Sequence, residues 1–179
     1  MHRIEAYIRL AIIFIMIITI LYFPVLMILK KKGKNIIRQF GNLGLCCSIF
    51  LIIFATILFV PITFHPEQYV INLVPFNWED DTNQIIVEVI PNIMMFVPLG
   101  FFIPVIFKNK RKLYKTTIMV FLLTFSIEFF QYFIGRSADI NDIITNLLGG
   151  IIGYCIFKIC NVIFKRTKWW NKLIDCKGK

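Results

Sequence analysis

The chain has 179 residues, of which 58% are hydrophobic and 16% are aromatic, and its formal net charge is +10. Soluble domains are only about half apolar, so this composition excludes a soluble globular enzyme and predicts an all-α bundle of membrane-spanning helices. The positive charge lies in clusters beside apolar stretches, which the positive-inside rule explains without a nucleic-acid partner.

Five stretches are long and apolar enough to be predicted as transmembrane helices, because a helix needs about 20 apolar residues to cross a bilayer. In chain order, the predicted spans are Leu10–Leu29, Leu43–Ile62, Ile85–Phe107, Tyr114–Ile134 and Ile143–Phe164. Three prolines interrupt the third span, which indicates either kinked packing or a functional break in the helix.

The charges of the connecting segments predict an orientation. Lysines and arginines cluster in residues 30–38, 108–115 and 165–179, whereas residues 65–84 hold four acidic residues and no Lys or Arg. All three basic clusters can be cytoplasmic only if the N-terminus is outside and the C-terminus is inside. Trp169 and Trp170, among the lysines of the tail, are predicted to anchor it at the membrane interface.

Polar residues recur at helical spacing in the predicted outer halves of three spans. Ionisable groups at membrane depth are costly and usually mark a site. The candidate ligand-binding residues are Glu88, Asn92, Glu128, Gln131, Arg136, Asp139, Asp142 and Asn146.

Several of these residues also have a structural explanation. Asp139 followed by Asp142 resembles a helix N-cap with an acidic first turn. Arg136 could neutralise those aspartates or bind a lipid phosphate. Glu128 is harder to explain structurally, because a carboxylate between Phe125 and Phe129 needs a partner or a proton. Gly149, Gly150 and Gly153 are predicted to let two helices pack closely.

No metal or cofactor site is predicted. The five cysteines form no CxxC pair, and the two histidines are isolated in the sequence. The cysteines are therefore expected to be small buried thiols.

The motifs resemble those of the VanZ-like family of bacterial membrane proteins. The resemblance rests on Asn72-Leu-Val-Pro75-Phe76, on the run from Asn92 to Gly100, and on the run from Glu128 to Gly153. It covers roughly Val70 to Tyr154, about half the chain. Together with hydropathy and charge it divides the chain into three units: residues 1–69 with two helices and a basic cytoplasmic loop, residues 70–164 as a VanZ-like domain with three helices, and residues 165–179 as a basic cytoplasmic tail.

The resemblance implies a multi-pass protein of the bacterial cell membrane that lowers susceptibility to lipoglycopeptide antibiotics of the teicoplanin type. Membrane lipids are the expected partners, together with a lipoglycopeptide or a lipid-linked cell-wall precursor. An outer-leaflet polar cavity would bind the amphiphilic molecule. The alternatives are an intramembrane enzyme acting on a lipid-linked envelope precursor and a small proton- or cation-coupled transporter.

Overall fold

The computed structural model describes residues 35–58, 71–75, 89–135 and 137–174, with eight separate positions between residues 16 and 28. The described helices are α1 (Ile36–Ile53), which continues as a π-helical turn (Phe54–Leu58), α2 (Ile90–Ile106), α3 (Leu113–Phe133), α4 (Ile140–Phe164) and α5 (Lys168–Ile174). Three of these stretches, Ile36–Ile57, Leu113–Phe133 and Ile140–Phe164, are long and apolar enough to cross a membrane. The predicted all-α membrane bundle is therefore confirmed.

The first predicted span lies mostly outside the described residues, although its described positions are helical. Tyr22, one of these positions, donates a hydrogen bond to Gln39 of α1 at 3.2 Å. The count of five spans and their orientation in the membrane stay predictions.

Helix α1 begins at Ile36, seven residues before the predicted Leu43, so that boundary was wrong. Asn35 starts the helix because its side-chain oxygen accepts a hydrogen bond from the Ile37 N–H at 3.1 Å, which satisfies one of the donors left unpaired in a first helical turn. Hydropathy alone placed the start later because it counted Arg38 and the polar residues near it against a helix.

Helix α2 remains continuous despite its prolines. Pro91 lies in the first turn, where its missing N–H has no intrahelical role, while Pro98 and Pro104 lie inside the helix. With 17 residues, α2 is about 26 Å long, slightly less than the thickness of the hydrocarbon core.

Helices α3 and α4 match the predicted fourth and fifth spans to within three residues at each end. Between them the chain reverses at Gly135, whose φ of 85° lies in the left-handed region that favours glycine at a helix end. Ala138 and Asp139 then form the short strand β2, which pairs in parallel with strand β1 (Ile71–Asn72). Sequence patterning did not predict this two-residue ladder.

Glycines bring α2 and α4 into backbone contact, as predicted for the glycines of α4. A Cβ atom on Gly153 would lie 2.1 Å from the Val97 carbonyl oxygen, and one on Gly100 would lie 2.1 Å from the Gly150 carbonyl oxygen. These distances leave no room for any side chain. The two backbones can therefore pack closely only because both helices carry glycine at the crossing.

The described residues of the basic segments meet at the end of the bundle where α2 and α4 end and α3 begins. Arg38 donates to the carbonyls of Ile106 and Leu173 at 2.6 and 3.3 Å. Arg111 donates to the carbonyls of Pro104 and Ile174 at 3.0 and 2.5 Å. These arginines therefore satisfy carbonyl groups near the C-terminal ends of α2 and α5, where a positive charge also complements the helix dipole.

Trp170 is a core residue, so its predicted role as an interfacial anchor was wrong. Its ring is 2% exposed and packs among Phe101, Phe157 and Phe164 at centroid distances of 6.1–6.4 Å. Its indole N–H donates to Asn161 Oδ1 at 3.1 Å. Neighbouring Trp169 is 47% exposed and keeps the surface position that was predicted for both.

The four described cysteines are free thiols, but the expectation that they are buried was wrong. Cys46 and Cys155 are exposed on the bundle, and Cys47 and Cys160 are half-buried. Exposure on apolar helices suits a small, weakly polar side chain that faces lipid.

Candidate functional site

A cluster of polar side chains lies at the end of the bundle where α3 stops and α2 and α4 start. It contains Asn92 from α2, Glu128 from α3, and Asp139, Asp142 and Asn146 from the start of α4. We call these five residues the polar cluster. The structure thus brings together five of the eight side chains singled out in the sequence.

Asp139 organises the start of α4. Its Oδ1 accepts a hydrogen bond from the Asn141 N–H at 2.8 Å, and Asp142 supplies the acidic residue of the first turn. The predicted N-cap is therefore confirmed. The second oxygen, Oδ2, accepts from the Asn72 amide at 3.0 Å, so Asp139 also holds strand β1 in place.

Glu128 is the most deeply buried acid of the polar cluster, with 4% of its surface exposed. Its Oε2 accepts a hydrogen bond from the Asp139 main-chain N–H at 3.1 Å. A carboxylate in apolar surroundings is tolerated only when such donors compensate the loss of water. Glu128 therefore links the last turns of α3 to the cap of α4.

Asn92 and Asp142 connect α2 to α4. The Asn92 amide donates to Asp142 Oδ1 at 2.6 Å, which is short because the acceptor is a carboxylate. This contact lies on the same side of α4 as Asp139, one turn further into the helix.

Asn146 marks the deep end of the polar cluster. Its Nδ2 donates to the Thr124 hydroxyl at 2.8 Å, joining α4 to α3. Its Oδ1 is buried and has no hydrogen-bond partner among the described residues. Thr124 was missed in the sequence, although it lies four residues before Glu128 and therefore on the same face of α3.

Gln131 turns away from the polar cluster. Its amide donates to the Thr56 carbonyl in the π-helical turn that follows α1, at 3.0 Å. Gln131 thus supplies a donor at this position, and its predicted grouping with Asp139 and Asp142 was wrong.

Glu88 and Arg136 lie outside the described residues. Asn72 and Thr56 are the other contacts that the sequence did not single out as site residues. Asn72 belongs to the Asn72–Phe76 stretch that carries part of the family resemblance, but its partner is 67 positions away along the chain. Only the fold could show that contact.

An open groove of about 320 Å³ runs beside the polar cluster. Glu128 and Asp139 line it together with aromatic and aliphatic side chains from α3, α4 and the two strands. The apolar and aromatic lining residues are Ile71, Leu73, Phe125, Phe129, Tyr132, Phe133, Ala138, Ile140 and Ile143. The surface exposed to the groove is apolar, which suits the hydrocarbon part of a small amphiphilic ligand.

Comparison with known proteins shows which family the chain belongs to. A model of the VanZ/LLP1 family matches residues 10–161, most of the chain. The chain belongs to the VanZ/LLP1 family. It is also 33% identical, over 137 residues, to Protein VanZ of Enterococcus faecium, covering 76% of this chain and 82% of that protein. No solved structure matches it.

The VanZ/LLP1 match spans both the basic and the polar end of the bundle. It starts at residue 10 and so includes the first two predicted spans as well as α2, α3 and most of α4. The polar cluster and the groove lie entirely within it. Family membership and the apolar helices together identify this chain as a membrane protein related to VanZ.

The Thr124–Asn146 contact yields a prediction about stability. Thr124→Val should lower the unfolding free energy by about 1 kcal/mol or slightly more, because the Asn146 amide is then left without its acceptor. Asn146→Leu should remove the same hydrogen bond by deleting its donor. The double variant should cost less than the sum of the two single variants, since no orphaned partner remains.

Thermal unfolding of the purified protein in detergent would measure this coupling. Ser126→Ala is the matched control, because the Ser126 hydroxyl is exposed and donates to the Leu122 carbonyl of its own helix, α3. Strictly additive single and double effects would show that the two side chains do not interact.

Proposed function

We propose that this protein is a multi-pass protein of the bacterial cell membrane that lowers susceptibility to lipoglycopeptide antibiotics of the teicoplanin type. It does so by holding an amphiphilic molecule, the antibiotic or a lipid-linked cell-wall precursor, in the groove beside Glu128. The observation that carries the proposal is the pairing of an apolar groove with the acidic residues of the polar cluster. Membership of the VanZ/LLP1 family supports it.

The shape of the groove suits a molecule with an apolar tail. Phe125, Phe129 and Phe133 lie four residues apart on α3 and are each more than half exposed. They form one wall along the helix axis, with the Phe129 and Phe133 rings 4.7 Å apart. A tail along this wall would bring a polar head group to Glu128 and Asp139.

The charge pattern supports an external position for this groove. The described residues of the three basic clusters, among them Arg38 and Arg111, lie at the opposite end of the bundle from the polar cluster, and basic loops favour the cytoplasmic face. The groove would then open in the outer leaflet. There, an acyl chain contributes roughly 0.8 kcal/mol of membrane affinity per buried methylene, so lipid-bearing antibiotics would concentrate at this depth.

The apolar core between the polar cluster and the basic end favours a site that opens on one side of the membrane over a path for ions across it. One turn below Thr124, Val120 is fully buried, and its methyl groups pack on Gly150. Val120 belongs to an apolar core with Phe96, Leu99 and Ile103. In the described part of the chain, this core separates the polar cluster from the basic end.

The decisive experiment compares two glycopeptides in cells. Expression should raise the inhibitory concentration of teicoplanin, which carries an acyl chain, more than that of vancomycin, which has none. Glu128→Gln should reduce this difference, because the charge at the groove is lost while the size of the side chain is kept. The measurement is the ratio of inhibitory concentrations with and without expression.

Ser126→Ala on the same helix is the control, and the amount of each variant in the membrane must match the parent. The proposal is wrong if Glu128→Gln and Asp142→Asn are both present at parental levels and protect as well as the parent. Equal protection against both drugs would point to a general effect on the envelope.

A further inference from the structure

A lysine lies on the lipid-facing surface of a membrane-spanning helix. Lys158 is exposed on α4, about 9 Å before that helix ends at Phe164. The apolar side chains next to it, Ile159 and Val162, are 58% and 66% exposed. A lysine in such surroundings is costly unless its ammonium group reaches the head-group region.

The length of α4 brings that region within reach. Its 25 residues make it about 38 Å long, whereas the hydrocarbon core of a bilayer is about 30 Å thick. Part of α4 therefore extends beyond the core, and the long side chain of Lys158 can carry its ammonium group to the head groups at the basic end of the bundle.

Lys158 shares one side of α4 with Lys165. The two residues are seven positions apart, which is two helical turns, and Asn161 lies between them on that side. Helix α5 packs beside the same side of α4. The Trp170 indole donates to Asn161 Oδ1 at 3.1 Å, and the Asn171 amide donates to the Lys165 carbonyl at 3.0 Å. These two contacts hold α5 next to both lysines.

Helix α5 adds a third lysine to this surface. Lys168 is exposed and lies three residues before Asn171, so the two residues share one side of the short helix. The opposite side of α5 carries the buried Trp170. We call Lys158, Lys165 and Lys168 the lysine face.

Within the described part of the chain, no carboxylate lies near the lysine face. The described acidic residues are Glu128, Asp139 and Asp142, and all three belong to the polar cluster at the other end of the bundle. Residues 158–174 hold five basic residues and no acidic residue. A surface with this much positive charge attracts an anion from outside the protein.

We propose that the lysine face binds the head group of an anionic phospholipid in the leaflet at the basic end of the bundle. The phosphate accepts hydrogen bonds from the ammonium groups of Lys165 and Lys168, and Lys158 approaches it from the hydrocarbon side. The exposed side chains of Ile159 and Val162 contact the acyl chains. This surface is separate from the groove, so the inference does not depend on the proposed function.

The test follows thermal unfolding of the purified full-length protein in a neutral maltoside detergent. Phosphatidylglycerol and phosphatidylcholine with the same acyl chains are titrated into the micelles. Phosphatidylglycerol should raise the unfolding temperature more than phosphatidylcholine does. Inorganic phosphate without lipid should have little effect, because it has no chains to contact α4. The proposal is overturned if the two lipids act equally, or if inorganic phosphate stabilises the protein as much as phosphatidylglycerol.

Variants locate the lipid on the lysine face. Lys158→Gln and Lys165→Gln should each raise, about fivefold, the mole fraction of phosphatidylglycerol needed for half of the effect. This factor corresponds to roughly 1 kcal/mol per basic residue near an anionic surface. Without added lipid, both variants should keep the parental unfolding temperature, because the two side chains are exposed.

Lys108→Gln is the matched control. Lys108 is equally an exposed lysine at the basic end, but it lies in the turn after α2. Helix α2 contacts α4 at Gly153, about 140° around the helix from Lys158. If Lys108→Gln weakens the phosphatidylglycerol effect as much as Lys158→Gln does, the attraction comes from the overall charge of this end and the lysine face is not a binding site. A lipid preference that persists in full in the Lys158→Gln/Lys165→Gln double variant would lead to the same conclusion.

Discussion

Gly153→Ala should destabilise the bundle by about 3 kcal/mol or more, at the upper end of the cost of overpacking. The new methyl group would lie 2.1 Å from the Val97 carbonyl oxygen and 2.8 Å from the Phe101 nitrogen. Both are main-chain atoms, so no side chain can rotate away and α2 and α4 must separate. Gly100→Ala should have a similar effect, because its Cβ would meet the Gly150 main chain.

Gly41→Ala is the matched control for these variants. Its Cβ would also be close to other atoms, but the nearest are the ends of the Ile106 and Leu173 side chains, at 2.9 and 3.1 Å. Such atoms can move at small cost, and alanine gains the same helix propensity of about 1 kcal/mol at every helical site. The yield of monodisperse protein and the unfolding temperature would be measured for Gly41→Ala, Gly100→Ala and Gly153→Ala. Equal stability of Gly41→Ala and Gly153→Ala would contradict the backbone contact.

Trp170→Ala should cost about 3–5 kcal/mol, the usual range for deleting a buried tryptophan. The change leaves a cavity among Phe101, Phe157 and Phe164 and leaves Asn161 without its indole donor. Trp169→Ala, one residue earlier, should cost less than about 1 kcal/mol because that ring is half exposed. Thermal unfolding of both variants in detergent measures the difference.

This pair also separates the core role of Trp170 from an interfacial role. A membrane-interface anchor should act through the exposed ring, so Trp169→Ala would then weaken membrane association more than Trp170→Ala. Similar, small effects of both changes on unfolding temperature would show that Trp170 is not part of the core.

The sequence predicted best what depends on local pattern. The limits of α3 and α4 follow from long apolar runs between charged segments, and the cap at Asp139 follows from an acidic pair that opens an apolar helix. The close packing at Gly153 was predictable because small residues recur on one face of α4. In each case the signal lies within a few turns of one helix.

The sequence could not show contacts that depend on the fold as a whole. The Asn72–Asp139 pair joins residues 67 positions apart, and the Gln131 amide finds its acceptor in a π-helical turn 75 positions earlier. The local sequence around Asn72 or Gln131 does not indicate which distant residue it contacts. Hydropathy also misplaced the start of α1, because it treats Arg38 as a hydrated charge and cannot register hydrogen bonds to distant carbonyls.

The two arginines at the basic end bear on how the orientation of this protein should be measured. Gene fusions that report membrane sidedness are commonly joined just after a predicted span, which here would be near Phe164. Such a junction would delete α5, whose Leu173 and Ile174 carbonyls accept hydrogen bonds from Arg38 and Arg111. A reporter should therefore follow residue 174. Charge-swap tests of sidedness should use Lys108 and Lys110, whose side-chain ammonium groups donate to no main-chain carbonyl in the described part of the structure.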